Sequence, residues 1–186
     1  MRPERAERTP EERVSRLLAL ILRHQPDKFG ITLDEHGYAP LEEIAKVVSE
    51  RYDFVNADWL RAFVESPEGR RFVIQNDRIA ARYGHSVDVE PDSAPVEPPE
   101  VLYHGTHPRN RAKIFREGIV SVGRKFCHLS STPEEAREVG RRRAARPLIL
   151  AVDARRMQQD GFLFFRAGHI YLTHRVPGKY VRVHEE

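Results

Sequence analysis

The chain has one cysteine, Cys127, in 186 residues. That excludes an intrachain disulfide framework and a cysteine-rich zinc site, and a reduced intracellular setting is expected. Long apolar runs are missing too. The longest near the N-terminus is LLALIL, far short of the roughly 20 residues of a membrane helix, and nothing reads as a signal peptide. Cytoplasmic residence with no membrane partner is the expectation. Lysine is scarce: of 31 lysines and arginines, only five are lysine. Arginine grips phosphate bidentately, and a net charge of only +3 argues for local basic surfaces over a polycation. Neither G-x-G-x-x-G after a strand nor G-x-x-x-x-G-K-[ST] occurs, so neither a Rossmann nor a P-loop site is indicated. No ligand spacing for a metal accompanies His104 or His128. No internal repeat is visible.

The first half reads as helices followed by a hairpin. In TPEE, Thr9 is an N-cap, Pro10 takes the first helical position and Glu12 completes a capping box. Val14, Leu17, Leu18, Ile21 and Leu22 then form one apolar stripe. Arg23 falls opposite that stripe and His24 on its flank, so both can face outward where Pro26 stops the helix. ITLDEHGYAP is a short extended segment with a turn at His36-Gly37. Helices are expected near Leu41 to Ser49 and near Asn56 to Glu65. RRFVIQNDRIAARY alternates, turns at Asn76-Asp77 and alternates again, as a β-hairpin does. This order suggests a winged-helix-like lobe over residues 1–90.

EPDSAPVEPPE, ending at Glu100, is rich in proline and acid and reads as a stiff extended linker over 91–100. Residues 101–186 form a second, α+β lobe. Its expected elements are a strand at VLYHGT, a helix from Pro108 to Gly118, a strand at KFCHLSS and a helix from Pro133 to about Ala144. Strands at PLILAVD, FLFF, HIYLT and YVRVH follow. PLILAVD is apolar at almost every position, which fits burial on both faces.

Each candidate for chemistry has a plainer structural reading beside it. Arg23 and His24 are either a solvated helix end favoured by the dipole or a phosphate site with a donor fork and a titratable imidazole. In YHGT, Gly105 either lets the backbone approach a ligand, with His104 and Thr106 on one face, or simply ends a strand. In GRKFCHLSS, Arg124, Phe126, His128 and Ser130 alternate onto one face and leave Cys127 on the other, as core. Arg71 opens a strand, and His85-Ser86 lies in a turn after the hairpin. RRRAAR (Arg141 to Arg146) either compensates a helix dipole or contacts phosphate.

Taken together, LILRHQPDKFGITLDEHGYAPLEEI, RRFVIQNDRIAARYGHS, LYHGT, VGRKFCHLS and DGFLFFRAGHIYLTHRVPGKYV resemble the RNA 2′-phosphotransferase family, KptA type, from about Val14 to Val183. The resemblance implies a winged-helix lobe joined to an ADP-ribosyltransferase-like lobe that binds NAD⁺. It implies removal of an internal 2′-phosphate from RNA, characteristically tRNA at a splice junction. The phosphate attacks C1″ of the nicotinamide riboside, releasing nicotinamide. The 2″-OH then attacks phosphorus, giving 2′-OH RNA and ADP-ribose 1″,2″-cyclic phosphate.

By the same resemblance Arg23, His24, Arg71 and Arg124 are the catalytic set, converging on one phosphate. His104, Gly105, Thr106, His128, Ser130 and Ile170 bind NAD, and His85 and Ser86 contact RNA. No metal is expected, and the chain is expected to be a monomer. Ile170 stands where protein-modifying relatives often keep a catalytic Glu; a nucleophile that is already a phosphate anion needs no base to activate it. Gly168-His169 and Tyr171, and Arg82-Tyr83 before GHS, depart from the family's usual pattern. Two other classes are compatible with parts of the sequence: an ADP-ribosyltransferase acting on nucleic-acid ends or protein, and a non-enzymatic winged-helix binder.

Overall fold

A computed structural model describes residues 8–185, and the chain divides into two compact units, Met1–Glu90 and Pro91–Glu186. In the first, α1 (Pro10–Arg23) begins at Thr9, whose side chain accepts from the Glu12 N–H in a complete capping box. Val14, Leu17, Leu18, Ile21 and Leu22 are all buried, as their spacing predicts. After a 3-10 turn at Pro26–Phe29, the Asp34 carboxylate accepts from the N–H of His36 and Tyr38 and closes the expected turn. β1 (Tyr38–Pro40), α2 (Leu41–Ser49) and α3 (Ala57–Val64, capped by Asn56) follow.

β2 (Phe72–Gln75) and β3 (Arg78–Ala81) form the hairpin. Asn76 and Asp77 turn it with φ of 46° and 58°, the paired left-handed geometry that a two-residue hairpin loop needs. The antiparallel sheet has the order β1-β3-β2. The inner faces of the three helices and the side chains of Phe72, Ile79 and Ala81 share one core.

The second unit opens with residues 91–100, which hold no regular element but are tied down. The Val96 N–H donates to the Phe164 carbonyl, and the Glu100 carbonyl accepts from Ala154 and Arg155. β4 (Val101–Thr106), α4 (Arg111–Glu117), β5 (Ile119–Val120), β6 (Cys127–Ser130) and α5 (Pro133–Arg141) come next. β7 (Leu148–Asp153), α6 (Ala154–Gln159), β8 (Phe165–Ala167), β9 (Ile170–Thr173), β10 (Arg175–Val176) and β11 (Val181–Val183) complete it. Six strands pair antiparallel in the order β11-β7-β4-β6-β9-β8, and β10 pairs with β5. Among the described residues the chain is thus a mixed α/β protein with antiparallel sheets and six α-helices.

Four expectations need correction. FLFF is not a strand: β8 starts at Phe165, because Phe164 is spent on the core while its carbonyl serves Val96. α5 stops at Arg141, short of Ala144; Gly140 has its carbonyl taken by the N–H groups of Arg143 and Ala144, which close the chain into a turn. β6 starts at Cys127, so Arg124 and Phe126 precede the pleat. α6, β5 and β10 were not expected, since each is too short to carry a periodicity.

β4 shares six register pairs with β7 but only Tyr103↔Ser130 with β6. The sheet therefore has a seam between β4 and β6. Gly105 sits beside it, and a Cβ there would lie 1.8 Å from the Ala136 carbonyl oxygen of α5. Gly105→Ala should therefore push α5 off the sheet and cost more than about 2 kcal/mol. Urea denaturation checks this; a variant as stable as the parent would mean that α5 can move freely.

Candidate active site

The site begins with a helix that must end. The last carbonyls of α1 lack intrahelical partners, and that of Arg23 accepts from Ser86 twice, from its N–H at 2.8 Å and its Oγ at 3.3 Å. The same Oγ lies 3.0 Å from His24 Nδ1. With the hydroxyl hydrogen directed at the carbonyl, Oγ accepts from His24 Nδ1–H, which leaves the lone pair of the neutral ring on Nε2. Ser86 thus fixes both the position and the tautomer of an exposed imidazole.

Arg23 does not face outward as its helical angle suggested. It is 8% exposed, its Cζ lying 5.2 Å from the Tyr83 ring centroid and 5.8 Å from that of Phe72. Gly84, with φ of 92°, lets the following loop cross the guanidinium: a Cβ there would sit 3.3 Å from Nη1. The cation is held by ring faces and its aliphatic stem is packed, an arrangement lysine cannot copy. Arg71 directly precedes Phe72, and its carbonyl accepts from the Arg82 N–H at 2.9 Å. The hairpin end that carries Arg71 thus also supplies the Phe72 ring under Arg23. Tyr83 stood out in the sequence only as a departure from pattern, and nothing there tied it to Arg23.

His85 is neutral at physiological pH. Burial pushes its pKa down to about 4, helped by the positive charges of Arg23 and His24. Its Nε2 is buried with no hydrogen-bond partner, packed where a Gly37 side chain would otherwise be, at 3.1 Å. His85 can therefore offer hydrogen bonds but adds no charge.

In the second unit the candidates gather at the seam. His104 Nδ1 lies 3.1 Å from the His128 carbonyl. A carbonyl only accepts, so that nitrogen carries the proton; burial lowers the pKa and leaves the lone pair on Nε2. Arg124 sits in the bend before β6, not on the strand face, yet its Nη1 is 3.3 Å from His128 Nδ1. A guanidinium only donates, so His128 Nδ1 must hold a lone pair there. Thr106 Oγ1 accepts from Asn110 Nδ2 at 3.0 Å. Ser130 is buried and lies between Tyr103 and Ile170 in register across three strands.

Gly105 is the socket for α5 on the side where a Cβ would point. Cys127 is core: its Sγ donates to the Ile119 carbonyl, and burial raises its pKa to about 11. His169 is exposed in the turn after β8, and its carbonyl accepts from Ser131 Oγ at 3.4 Å. Among the described residues no His, Cys, Asp and Glu cluster could hold a metal ion, and no helix is long and apolar enough to cross a membrane.

The chain is similar in sequence to proteins of one family. The profile described as "RNA 2'-phosphotransferase, Tpt1 / KptA family" matches residues 9–175. A "Probable RNA 2'-phosphotransferase 1" of Archaeoglobus fulgidus is 38% identical over 177 residues, 93% of this chain and 82% of the relative. A second from that organism is 41% identical over 173 residues, 92% of this chain and 80% of the relative. A "Probable RNA 2'-phosphotransferase" of Rhizobium leguminosarum bv. trifolii is 41% identical over 172 residues, 92% of this chain and 93% of the relative. The chain belongs to the RNA 2′-phosphotransferase family.

For this member of the family, His85 sets a pH limit. Below its ordinary value of 6.5 the unfolded chain binds a proton that the folded chain refuses, so stability rises with pH. The contribution is complete above 6.5 and disappears as pH falls toward about 4, at most about 3 kcal/mol and less with solvent screening. His104, also lowered, adds in the same direction. His85→Asn should flatten the fall in melting temperature between pH 6.5 and 4; parallel curves for variant and parent would show that the ring is not buried neutral.

Proposed function

We propose that the chain is an NAD-dependent RNA 2′-phosphotransferase, with a winged-helix-like first unit that handles the RNA phosphate and an ADP-ribosyltransferase-like second unit that binds NAD⁺. The observation that carries the reading is the Arg23–His24–Ser86 arrangement, a held guanidinium next to an imidazole whose tautomer Ser86 selects. A phosphomonoester carries nearly two negative charges at neutral pH. Arg23, Arg71 and Arg124 bind it and offset the charge that develops as phosphorus is attacked. His24, through Nε2, moves the proton in the second step.

The seam suits the proposed co-substrate. His104 Nε2 is a lone-pair acceptor, and Thr106, His128 and Ser130 add hydroxyl and imidazole groups of the kind that orient ribose and amide. Ile170 is buried beside Ser130 and supplies no base, as expected if the nucleophile is already an anion. NAD⁺ supplies the electrophilic ribose carbon and leaves as nicotinamide and ADP-ribose 1″,2″-cyclic phosphate. RNA and NAD⁺ are the partners of this reading, with no metal and a monomeric, cytoplasmic enzyme.

The test is to incubate the protein with a 2′-phosphorylated oligonucleotide and NAD⁺ and assay both nicotinamide and cyclic phosphate. His24→Ala should slow the second step by at least about 100-fold, so that ADP-ribosylated RNA accumulates. Nicotinamide without cyclic phosphate from the parent protein points instead to an ADP-ribosyltransferase, and no NAD⁺ consumption to a binding protein.

A further inference from the structure

One strongly charged surface takes no part in the chemistry above. β4 and β7 run antiparallel, so one end of the pair joins Val101 to Asp153 and the other joins Thr106 to Leu148. The first end is acidic, with Glu97, Glu100 and Asp153, and Glu97 is ion-paired with Arg155 at 3.6 Å. The opposite end is predominantly basic, with Glu185, the residue after His184, as the one described acid that the β11–β7 register brings beside Leu148. Arg109 and Arg111 follow Thr106, while Arg141 ends α5 and Arg142, Arg143 and Arg146 lie in the turn that enters Leu148, and all six are exposed.

Among the described residues none of these six forms an ion pair, whereas Arg61, Arg78, Arg116 and Arg155 do. Of the acids of α5, Glu134 and Glu135 lie in its first turn, while Glu138 stands one turn from Arg141 and Arg142 and can offset only part of their charge. A dipole needs only one or two cations in the last helical turn; four within six residues, three of them past the end of α5, exceed that need.

The turn is also firmly based. Gly140 packs on Pro147 and on the backbone of Gly105: a Cβ on Gly140 would sit 2.6 Å from Pro147 Cβ and 3.2 Å from the Gly105 carbonyl carbon. The arginines are therefore carried by the strand end that also bears His104, Gly105 and Thr106. Six exposed guanidiniums on one rim fit a run of phosphodiesters better than an acidic protein groove.

We infer that the arginine rim formed by Arg109, Arg111 and Arg141 to Arg146 is a docking surface for the RNA backbone outside the 2′-phosphate. The inference rests on the proposed RNA substrate and adds where the remainder of that RNA is held. Binding here is by charge, so it is insensitive to sequence and steep in salt.

The test compares the parent with two variants. One is Arg141→Gln, Arg142→Gln, Arg143→Gln and Arg146→Gln together; the other replaces the same four by Lys. Exposed, unpaired side chains leave the fold intact, which circular dichroism checks. Binding of an unphosphorylated stem-loop RNA is measured against salt. Loss of four contacts should flatten the log–log slope by up to about 3 in the Gln variant, while the Lys variant keeps the parent's slope.

In turnover, KM for a 2′-phosphorylated stem-loop should rise at least tenfold in the Gln variant. KM for a 2′-phosphorylated trinucleotide and for NAD⁺ should change less than twofold. Equal salt slopes for parent and Gln variant overturn the inference, and so does a rise in KM for NAD⁺ with no dependence on RNA length. A parent that binds RNA through this rim yet never turns over the phosphorylated RNA refutes the proposed function instead.

Discussion

The carbonyl of Arg23 has to find a donor. Helix α1 stops there, and its terminal carbonyl would be stranded without the two hydrogen bonds from Ser86. That one need draws the loop after the hairpin back over the helix end. It brings Tyr83 against the Arg23 guanidinium, slides Gly84 past Nη1 and places the Ser86 hydroxyl on His24. A cation, an imidazole and the tautomer of that imidazole are all set by completing a helix C-terminus. The candidate residues are in this sense by-products of backbone hydrogen bonding.

The second unit reaches its arrangement through packing at a strand edge. α5 lies so close to β4 that only glycine fits at position 105. β6 departs from β4 after a single register pair, and His104 and His128 are left tied through one carbonyl. Each hydrogen bond there decides a protonation state. His104 must donate from Nδ1 and His128 must accept at Nδ1, so the two rings present opposite tautomers along one seam. This polarity is chemistry that composition could not display.

Much of the fold was legible. The capping box at Thr9, the stripe from Val14 to Leu22, the helix at Leu41–Ser49 and the hairpin turn at Asn76-Asp77 all appear where spacing and turn chemistry place them. Long periodic segments carry enough repeats to identify themselves. Two-residue strands such as β5 and β10 do not, because their existence depends on a partner elsewhere in the chain. Phe164 misled because its apolar side chain belongs to the core while its backbone bonds to Val96. Arg124 misled because alternation was extended back beyond the start of β6; its proximity to His128 comes from a bend.

Spacing and residue type were sufficient for the periodic elements, the family and the set of candidate residues, since these depend on neighbours a few positions apart or on motifs in order. Burial was another matter. Arg23 looked outward on a helical wheel and lies instead against two aromatic rings, and Gly105 seats a helix that its own stretch does not announce. Both outcomes depend on segments distant in the chain, Tyr83 from Arg23 and Ala136 from Gly105. Local sequence carries no record of which distant atoms will fill a space, and only the folded arrangement could supply them.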